Sequence, residues 1–314
     1  MIRLGLCCIF RELPISFRQT TAAALIRLSR DEQLDKLSGI ISDNLENLEL
    51  ALRWVSSHNI KAFRVLSPLF PRYTHPDVGY RLDELPDSQL LKEQCDRVKH
   101  YAQHNSIRLS LHPDQFNVLS SPDEQVVLNT IRELSYQGYL ADLLGIEVIN
   151  IHAGGVYGDK VSALKRLTRN FTRLPQSVQL RLSLENDDRS YSPEDLLPIC
   201  RELAIPLVYD VHHHRCLVDS LSLEEATDAA IKSWAQVGRE PFFHISSSKE
   251  GYDSNKPQPH DDYIRPEDFP LYWLERSRDV DITVDIEAKA KELAIIRLQS
   301  DLNLHSSLQE KDVV

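Results

Sequence analysis

Six short apolar segments of this chain each run into a histidine, an aspartate or a glutamate. In chain order, these residues are His112, His152, Glu185, Asp210 followed by His213, His244 and Glu287. A β-strand that ends in such a residue holds the side chain at its carboxyl end. When successive parallel strands do this, their end residues converge on one mouth of the sheet. The series therefore predicts a polynuclear metal site and, with it, an enzyme.

The donor types indicate which ions such a site would hold. The histidines supply imidazole nitrogens, and Glu185, Asp210 and Glu287 supply carboxylates that can bridge two ions. His260, in the loop after the seventh predicted strand, is a further candidate ligand. A mixed set of this kind suits Mn²⁺, Zn²⁺, Co²⁺ or Fe²⁺ better than Ca²⁺ or Mg²⁺. There are enough donors for two or three divalent ions.

A metal cluster of this composition suits the hydrolysis of a phosphate ester. Bound ions lower the pKa of a water molecule and hold the phosphate oxygens. Glu185, Asp210 and Glu287 are the candidate catalytic carboxylates. The chain contains neither the G-x-x-x-x-G-K-[ST] nor the G-x-G-x-x-G phosphate motif. The segment from His152 to Gly155 is interpreted as a ligand followed by a close backbone approach, rather than as a phosphate loop.

The remaining histidines include three that are consecutive and five that lie outside the strand ends. His212, His213 and His214 are consecutive, so they cannot all face one site, and His213 is the candidate ligand. His212 and His214 are expected to support it or to face solvent. A structural role is expected for the histidines in helical or loop contexts, which are His58, His75, His100, His104 and His305.

Eight strands, each followed by a helix, are predicted to position these ligands. The first strand is expected at about 2–7 and the second at 60–66, with long helices near 20–57, 86–105, 121–144 and 159–173. Helix starts are predicted at Ser121, Ser192 and Ser222, each followed three residues later by an acidic residue. The last helix is expected to begin near Ala288. The pattern predicts an α/β fold, a (β/α)₈ TIM barrel.

Composition limits the organisation and the partners of the chain. Its 314 residues, 42% of them hydrophobic, predict one barrel domain over 1–302 and a polar tail over 303–314. Five cysteines and a start without a signal-peptide pattern predict a cytoplasmic location, with no membrane partner. A net charge of −11 argues against non-specific nucleic-acid binding over the whole surface. Lys165, Arg169 and Arg173 share one helix face, which is interpreted as solvated rather than DNA-binding.

A possible recognition element follows the first histidine ligand. Gln115 and Phe116 come just after His112 on a predicted loop of the barrel mouth. An exposed aromatic ring beside an amide can stack on a nucleobase and hydrogen-bond to its edge. Alternatively, Phe116 only packs against the loop. When this motif is considered by itself, the packing role is favoured.

Taken together, the motifs resemble the UV damage endonuclease family. The ordered set is HPDQF, NIHAGG, LENDD, DVHHH, HISSSK, PHDDYI and DIEAKAKE, and the likeness covers residues 2–292. More distantly, the chain is similar to the barrel of endonuclease IV and xylose isomerase-like enzymes. The resemblance implies a Mn²⁺-dependent endonuclease that nicks damaged double-stranded DNA immediately 5′ of cyclobutane pyrimidine dimers and 6-4 photoproducts. The products would carry a 3′-hydroxyl and a 5′-phosphate.

The resemblance also implies roles for particular residues. The ligands would be His112, His152, Glu185, Asp210, His213, His244, His260 and Glu287. Gln115 and Phe116 would form the pair that fills the gap left by flipped-out damaged nucleotides. A monomer without an obligate protein partner is expected. This chain departs from the family pattern at Phe242, where many members carry a lysine, and at Leu6 and Phe10, where some carry a tyrosine and an asparagine.

Two other functions compete with this hypothesis. The first is a xylose isomerase-like sugar isomerase or epimerase, which the acidic composition favours slightly. The number of ligands and the pair Gln115 and Phe116 argue against it. The second is a non-catalytic DNA-binding or scaffold protein with structural metals, but structural zinc sites usually contain cysteine, and no cysteine occurs in the ligand series.

Overall fold

The fold is a closed barrel of eight parallel strands, as the sequence predicts. A computed structural model describes the backbone of residues 1–309 and the side chains of residues 1–302. The strands are β1 (Ile2–Cys7), β2 (Ala62–Val65), β3 (Arg108–Leu111), β4 (Val148–His152), β5 (Leu182–Glu185), β6 (Leu207–Asp210), β7 (Phe242–Ile245) and β8 (Ile282–Ile286). They follow one another around the barrel in chain order. Almost all of their residues are buried, which matches the apolar sequences of these segments.

Helices connect the successive strands. They are α1 (Ala22–Ile26), α2 (Arg30–Ser57), α3 (Ser88–His104), α4 (Glu124–Leu144), α5 (Lys160–Phe171), α6 (Gln176–Gln179), α7 (Pro193–Leu203), α8 (Val211–Cys216), α9 (Leu223–Gln236), α10 (Leu271–Arg276) and α11 (Glu292–Gln309). Two 3₁₀ helices, Leu82–Glu84 and Pro266–Asp268, lie in the longer loops. No helix in the described part of the chain is long and apolar enough to cross a membrane.

Local sequence signals account for several helix ends. Ser222 caps α9, since its hydroxyl accepts from the Glu225 N–H at 3.1 Å while the Glu225 carboxylate accepts from the Ser222 N–H at 2.9 Å. The predicted start at Ser192 is likewise the N-cap of α7. Gly145 ends α4 in the left-handed region at φ 70°, where glycine has no side chain to clash.

Three boundaries differ from the predictions. Helix α4 begins at Glu124 with Asp123 as its cap, because Ser121 is used instead to accept from the Asp123 N–H. The region 20–57 contains two helices, since the capping box of Ser29 starts a new helix there. The last helix begins at Glu292 rather than near Ala288, after Lys291 takes a positive φ of 56°.

The chain divides into two compact units. One contains Met1–Glu12, Ile60–Ala62 and the chain from Ser183 onward, and the other contains Leu13–Asn59 and Phe63–Leu182. A single domain over 1–302 stays a prediction. Helix α11 includes residues 303–309 of the predicted polar tail, while the side chains of 303–309 and all of 310–314 lie outside the described residues.

Candidate metal centre

Six of the predicted ligands form one continuous series of contacts in the first unit. His213 Nδ1 lies 3.5 Å from Asp210 Oδ2 and 3.4 Å from Glu185 Oε1. His244 Nδ1 lies 3.1 Å from the same Glu185 oxygen and 3.3 Å from Glu287 Oε1. His260 Nδ1 completes the series, 3.9 Å from Glu287 Oε2.

The strands explain why these groups meet. In the first unit β5, β6, β7 and β8 pair in parallel order, so their carboxyl ends lie at one edge. Asp210 is directly opposite His244 in this register. Glu185 ends β5, and Glu287 follows β8 by one residue. The ends of these strands therefore bring the candidate ligands of the first unit together.

The centre is buried and negatively charged. Glu185 and Asp210 are completely shielded from solvent, and His244 almost so. Burial by itself lowers the pKa of the His213 imidazole, but the carboxylates of Asp210 and Glu185 outweigh it, so the pKa lies well above its ordinary value. The carboxylates therefore create a strong local preference for positive charge.

Only one of the three consecutive histidines lies against the carboxylates. They occupy the short helix α8, whose N-cap is Asp210, rather than an extended segment. Consecutive side chains of a helix point in directions about 100° apart, so the three rings face different neighbours. His212 contacts Tyr252 Oη at 3.0 Å and Gln258 O at 2.9 Å, and His214 contacts Tyr209 Oη at 2.8 Å. Both rings are buried, so neither faces solvent.

Two of the candidate ligands are oriented by backbone carbonyl groups. His213 Nδ1 lies 3.0 Å from the carbonyl oxygen of Asn186, and His260 Nδ1 lies 2.8 Å from that of Glu287. A hydrogen bond of this kind fixes the orientation of the imidazole ring beside the carboxylates. The arrangement is typical of histidine ligands in metalloproteins.

Two buried polar residues escaped the sequence analysis. The Asn186 amide is hydrogen-bonded to the backbone of Asp210, and Asp285 is fully buried opposite His244 in β8. A Cβ atom on Gly5 would lie 2.0 Å from Asp285 Oδ1, so only glycine leaves room for this carboxylate. Asp285 lies in β8, two residues before Glu287, and this spacing alone did not single it out.

The second unit brings the other two predicted ligands together. The rings of His112 and His152, at the ends of β3 and β4, lie 5.1 Å apart between centroids. Farther along the same loop, Phe116 is exposed, and its N–H donates to Asp114 Oδ1 at 2.8 Å. This short turn presents the ring to solvent instead of packing it against the loop.

The donor set fits a group of divalent cations. Asp210 Oδ2 is buried and accepts no hydrogen bond from any residue of the described chain. Its ion pairing among those residues is with His213 alone. A buried carboxylate in this state is costly unless a cation compensates for its charge. Clustered carboxylate oxygens and imidazole nitrogens are the donors that such ions prefer.

The residues at which the family pattern is broken are mostly buried. The Phe242 ring packs edge-on against His244, with 5.8 Å between centroids, and is shielded from solvent. Leu6 is fully buried in β1, and Phe10 is half-buried in the loop that follows. Phe242 therefore contributes packing, and no charge, beside a candidate ligand.

The comparisons with known proteins agree with this fold. The chain is 37% identical over 302 residues to a UV DNA damage endonuclease of Bacillus velezensis, covering 94% of this chain and 91% of that protein. The crystal structure of SacUVDE superposes with a TM-score of 0.81 at 30% identity, covering 96% and 99% of the two chains. Endonuclease IV from Thermus thermophilus shares the barrel alone, with a TM-score of 0.60 at 13% identity and coverage of 96% and 99%.

A family model also matches nearly the whole chain. The model of the family described as UV-endonuclease UvdE matches residues 2–312. This range includes every strand and every candidate ligand. The chain therefore belongs to the UV-endonuclease UvdE family.

Proposed function

We propose that this protein is a metal-dependent DNA repair endonuclease that nicks the phosphodiester immediately 5′ of UV photoproducts. The substrates would be duplexes with cyclobutane pyrimidine dimers or 6-4 photoproducts, and the products would carry a 3′-hydroxyl and a 5′-phosphate. Membership of the UvdE family supports the substrate class. The observation that best supports metal-dependent hydrolysis is the unbroken series of carboxylate–imidazole contacts from Asp210 to His260.

Eight residues would hold two or three divalent ions, with Mn²⁺ the expected metal and Zn²⁺ or Co²⁺ as alternatives. They are His112, His152, Glu185, Asp210, His213, His244, His260 and Glu287. The first two stand at the ends of β3 and β4, the same edge position that the other ligands occupy on their strands. When bound, such ions activate water and neutralise the charge of the phosphate oxygens.

The residues of the chain would hold the reacting groups in place. Glu185, Asp210 and Glu287 act as the catalytic carboxylates. Glu185 lies between His213 and His244, Glu287 lies between His244 and His260, and Asp210 contacts His213 at the end of the series. Gln115 and Phe116 act as the probing pair that enters the duplex where a lesion has weakened stacking and pairing. The exposure of Phe116 supports this role, since a ring that served only to pack the loop would be covered.

The test is a nicking assay on a duplex with one cyclobutane dimer, using protein freed of metal by chelation. Added Mn²⁺ should restore a single cut directly 5′ of the dimer, and an undamaged duplex should remain intact. Glu287→Gln should lower the rate by more than about a hundredfold, because even residues that only orient metal ligands contribute ten- to a hundredfold. Glu275→Gln, on the exposed side of α10, is the matched control and should cut normally.

Two results would overturn the proposal. Equal nicking of damaged and undamaged duplex would remove the lesion specificity. Turnover of free sugars, without any DNA cleavage under Mn²⁺, Zn²⁺ or Co²⁺, would favour the isomerase instead.

A further inference from the structure

Two neighbouring strands each lead to an exposed aromatic ring shortly after their histidine. Phe116 follows His112 by four residues, and Tyr157 follows His152 by five. Their side chains are 76% and 46% exposed. Strands β3 and β4 are hydrogen-bonded neighbours, so the two rings stand on adjacent loops at the carboxyl ends of the strands. Tyr157 has no role in the proposed chemistry so far.

The backbone at Tyr157 is held in an unfavourable conformation. Its φ of 50° lies in the left-handed region, where bulky residues are uncommon. Glycine adopts this region without steric cost, and Gly158, the next residue, does so at φ 79°. A tyrosine that keeps such a conformation on an exposed loop points to a function of its side chain.

The two loops are locked together by short contacts. Ser120 Oγ donates to the carbonyl oxygen of Ala153 at 2.7 Å. Gly154 has a φ of 88°, and a Cβ atom there would lie 2.0 Å from a methyl group of Val118. The loop that carries Tyr157 thus packs directly on the segment that follows Phe116. The Phe116 and Tyr157 rings are therefore carried by two loops that pack against each other.

Arg166 of α5 contacts both of these loops. Its Nε donates to the carbonyl oxygen of Ser120 at 2.8 Å, and its guanidinium lies 5.7 Å from the centre of the Tyr157 ring. No carboxylate in the described part of the chain forms an ion pair with it. Arg173, which follows α5, pairs by contrast with Glu124 at 2.6 Å, so its positive charge is already compensated within the chain.

We propose that Tyr157 and Arg166 form a second DNA contact, separate from the probing pair. Arg166 binds a backbone phosphate, and the Tyr157 ring packs against the sugar or base of the adjoining nucleotide. The exposed side chains of Lys165 and Arg169 extend the positive charge along the same helix. Such a contact is independent of sequence and of damage, and it aligns the strand before Phe116 tests it. This inference rests on the proposed function for its partner, duplex DNA.

The experiment measures equilibrium binding of the full-length metal-loaded protein to undamaged and dimer-containing duplexes over a range of salt. Arg166→Gln should weaken binding to both duplexes equally and reduce the slope of log K against log salt by about one, as expected for one lost phosphate contact. Tyr157→Ala should weaken both by about fivefold or more, the effect of losing one stacking platform. In nicking assays both variants should raise KM and leave kcat unchanged.

The chain offers a matched control for the pair. Arg53 lies over the Tyr101 ring at 4.9 Å on α2 and α3, and Arg53→Gln and Tyr101→Ala should leave DNA affinity unaltered. Tyr157→Phe should retain most of the affinity, which separates stacking from a role of the hydroxyl group.

The outcomes separate this inference from the proposed function. Wild-type affinity and salt slope in both Tyr157→Ala and Arg166→Gln would overturn the second contact, even if the enzyme nicks damaged DNA. A wild-type protein that binds duplex DNA through Arg166 but never nicks it would overturn the proposed function and support the contact. A loss confined to the damaged duplex would also contradict the inference, because it would assign Tyr157 to lesion recognition.

Discussion

The side chain of Asn186 forms two hydrogen bonds with the backbone of Asp210, one in each direction. Its Nδ2 donates to Asp210 O at 2.8 Å, and its Oδ1 accepts from Asp210 N at 2.9 Å. The carbonyl oxygen of Asn186 also lies 3.0 Å from His213 Nδ1. One buried residue thus fixes the strand end that carries one candidate ligand and the ring orientation of another.

We predict that Asn186→Ala will lower metal affinity by about ten- to a hundredfold, the usual effect of removing a group that orients ligands. The free energy of unfolding should also fall by about 1–3 kcal/mol, because the Asp210 backbone loses both buried partners. Metal binding by calorimetry and unfolding of the metal-free protein in urea measure the two effects separately.

Asn44 provides the control for this change. It is also fully buried and exchanges the same two hydrogen bonds with the backbone of Arg18, far from any candidate ligand in sequence. Asn44→Ala should cost similar stability and leave metal affinity intact. Equal metal affinity in the two variants would mean that Asn186 has no orienting role.

Metal binding should stabilise the folded protein through Glu185. The buried Glu185 carboxylate contacts both His213 and His244. A bound cation would neutralise the negative charge of this carboxylate, which is costly to bury without compensation. At a hundred times its dissociation constant, Mn²⁺ should add about 2.7 kcal/mol to the free energy of unfolding. Thermal unfolding should show this as an increase in Tm of about 3–6 °C.

Glu185→Gln should abolish most of that increase, since an amide oxygen carries no charge for the cation. Glu275→Gln should keep it. If Glu185→Gln gained as much stability from Mn²⁺ as the wild type, the ions would bind elsewhere.

The variant Phe242→Leu tests whether nicking depends on the aromatic ring that packs beside His244. The ring contacts His244 but offers no charge, so Phe242→Leu should keep nicking within about threefold and cost less than about 1.5 kcal/mol of stability. Phe243→Leu, which changes the ring packed 5.1 Å from Trp273, should cost about the same. A tenfold loss of nicking with normal stability, found only for Phe242→Leu, would assign the ring a direct role at His244.

The sequence predicted the barrel well because its signals are local. The apolar strands that end in candidate ligands, the capping box at Ser222 and the helix end at Gly145 are each set by residues only a few positions apart. The boundary at Ser121 was wrong for the same reason: two polar residues competed for one cap, and the loop geometry favoured Asp123. Local patterns do not decide such a competition.

The candidate site could be predicted only in part, since supporting contacts join residues far apart in the chain. No spacing indicates that Asn186 reaches Asp210, or that Tyr252 reaches His212 across forty residues. Asp285 was overlooked because a strand aspartate gains meaning only when Gly5 is seen to leave space for it. The roles of the ligands themselves stay predictions until metal binding is measured.

The Asp219 carboxylate should make the stability of the fold depend on pH. Burial alone raises its pKa, but the backbone N–H groups of Glu194 and Leu221 and the His214 ring outweigh this effect, so the pKa lies below its ordinary value. A lowered pKa means that the folded state favours the charged form. The stabilisation is therefore present above the ordinary pKa of about 3.9 and is lost as the pH falls through the lower folded value.

We predict that Asp219→Asn will cost about 1–2 kcal/mol at pH 7, where the charged carboxylate accepts from the Glu194 N–H in the first turn of α7. The difference from the wild type should shrink as the pH falls below about 4, because the wild-type group then becomes neutral as well. Urea unfolding between pH 7 and pH 3 measures this, with Asp123→Asn at the start of α4 as a helix-cap variant for comparison. If the difference in unfolding free energy between the wild type and Asp219→Asn stayed constant down to pH 3, the charge of Asp219 would not contribute to stability.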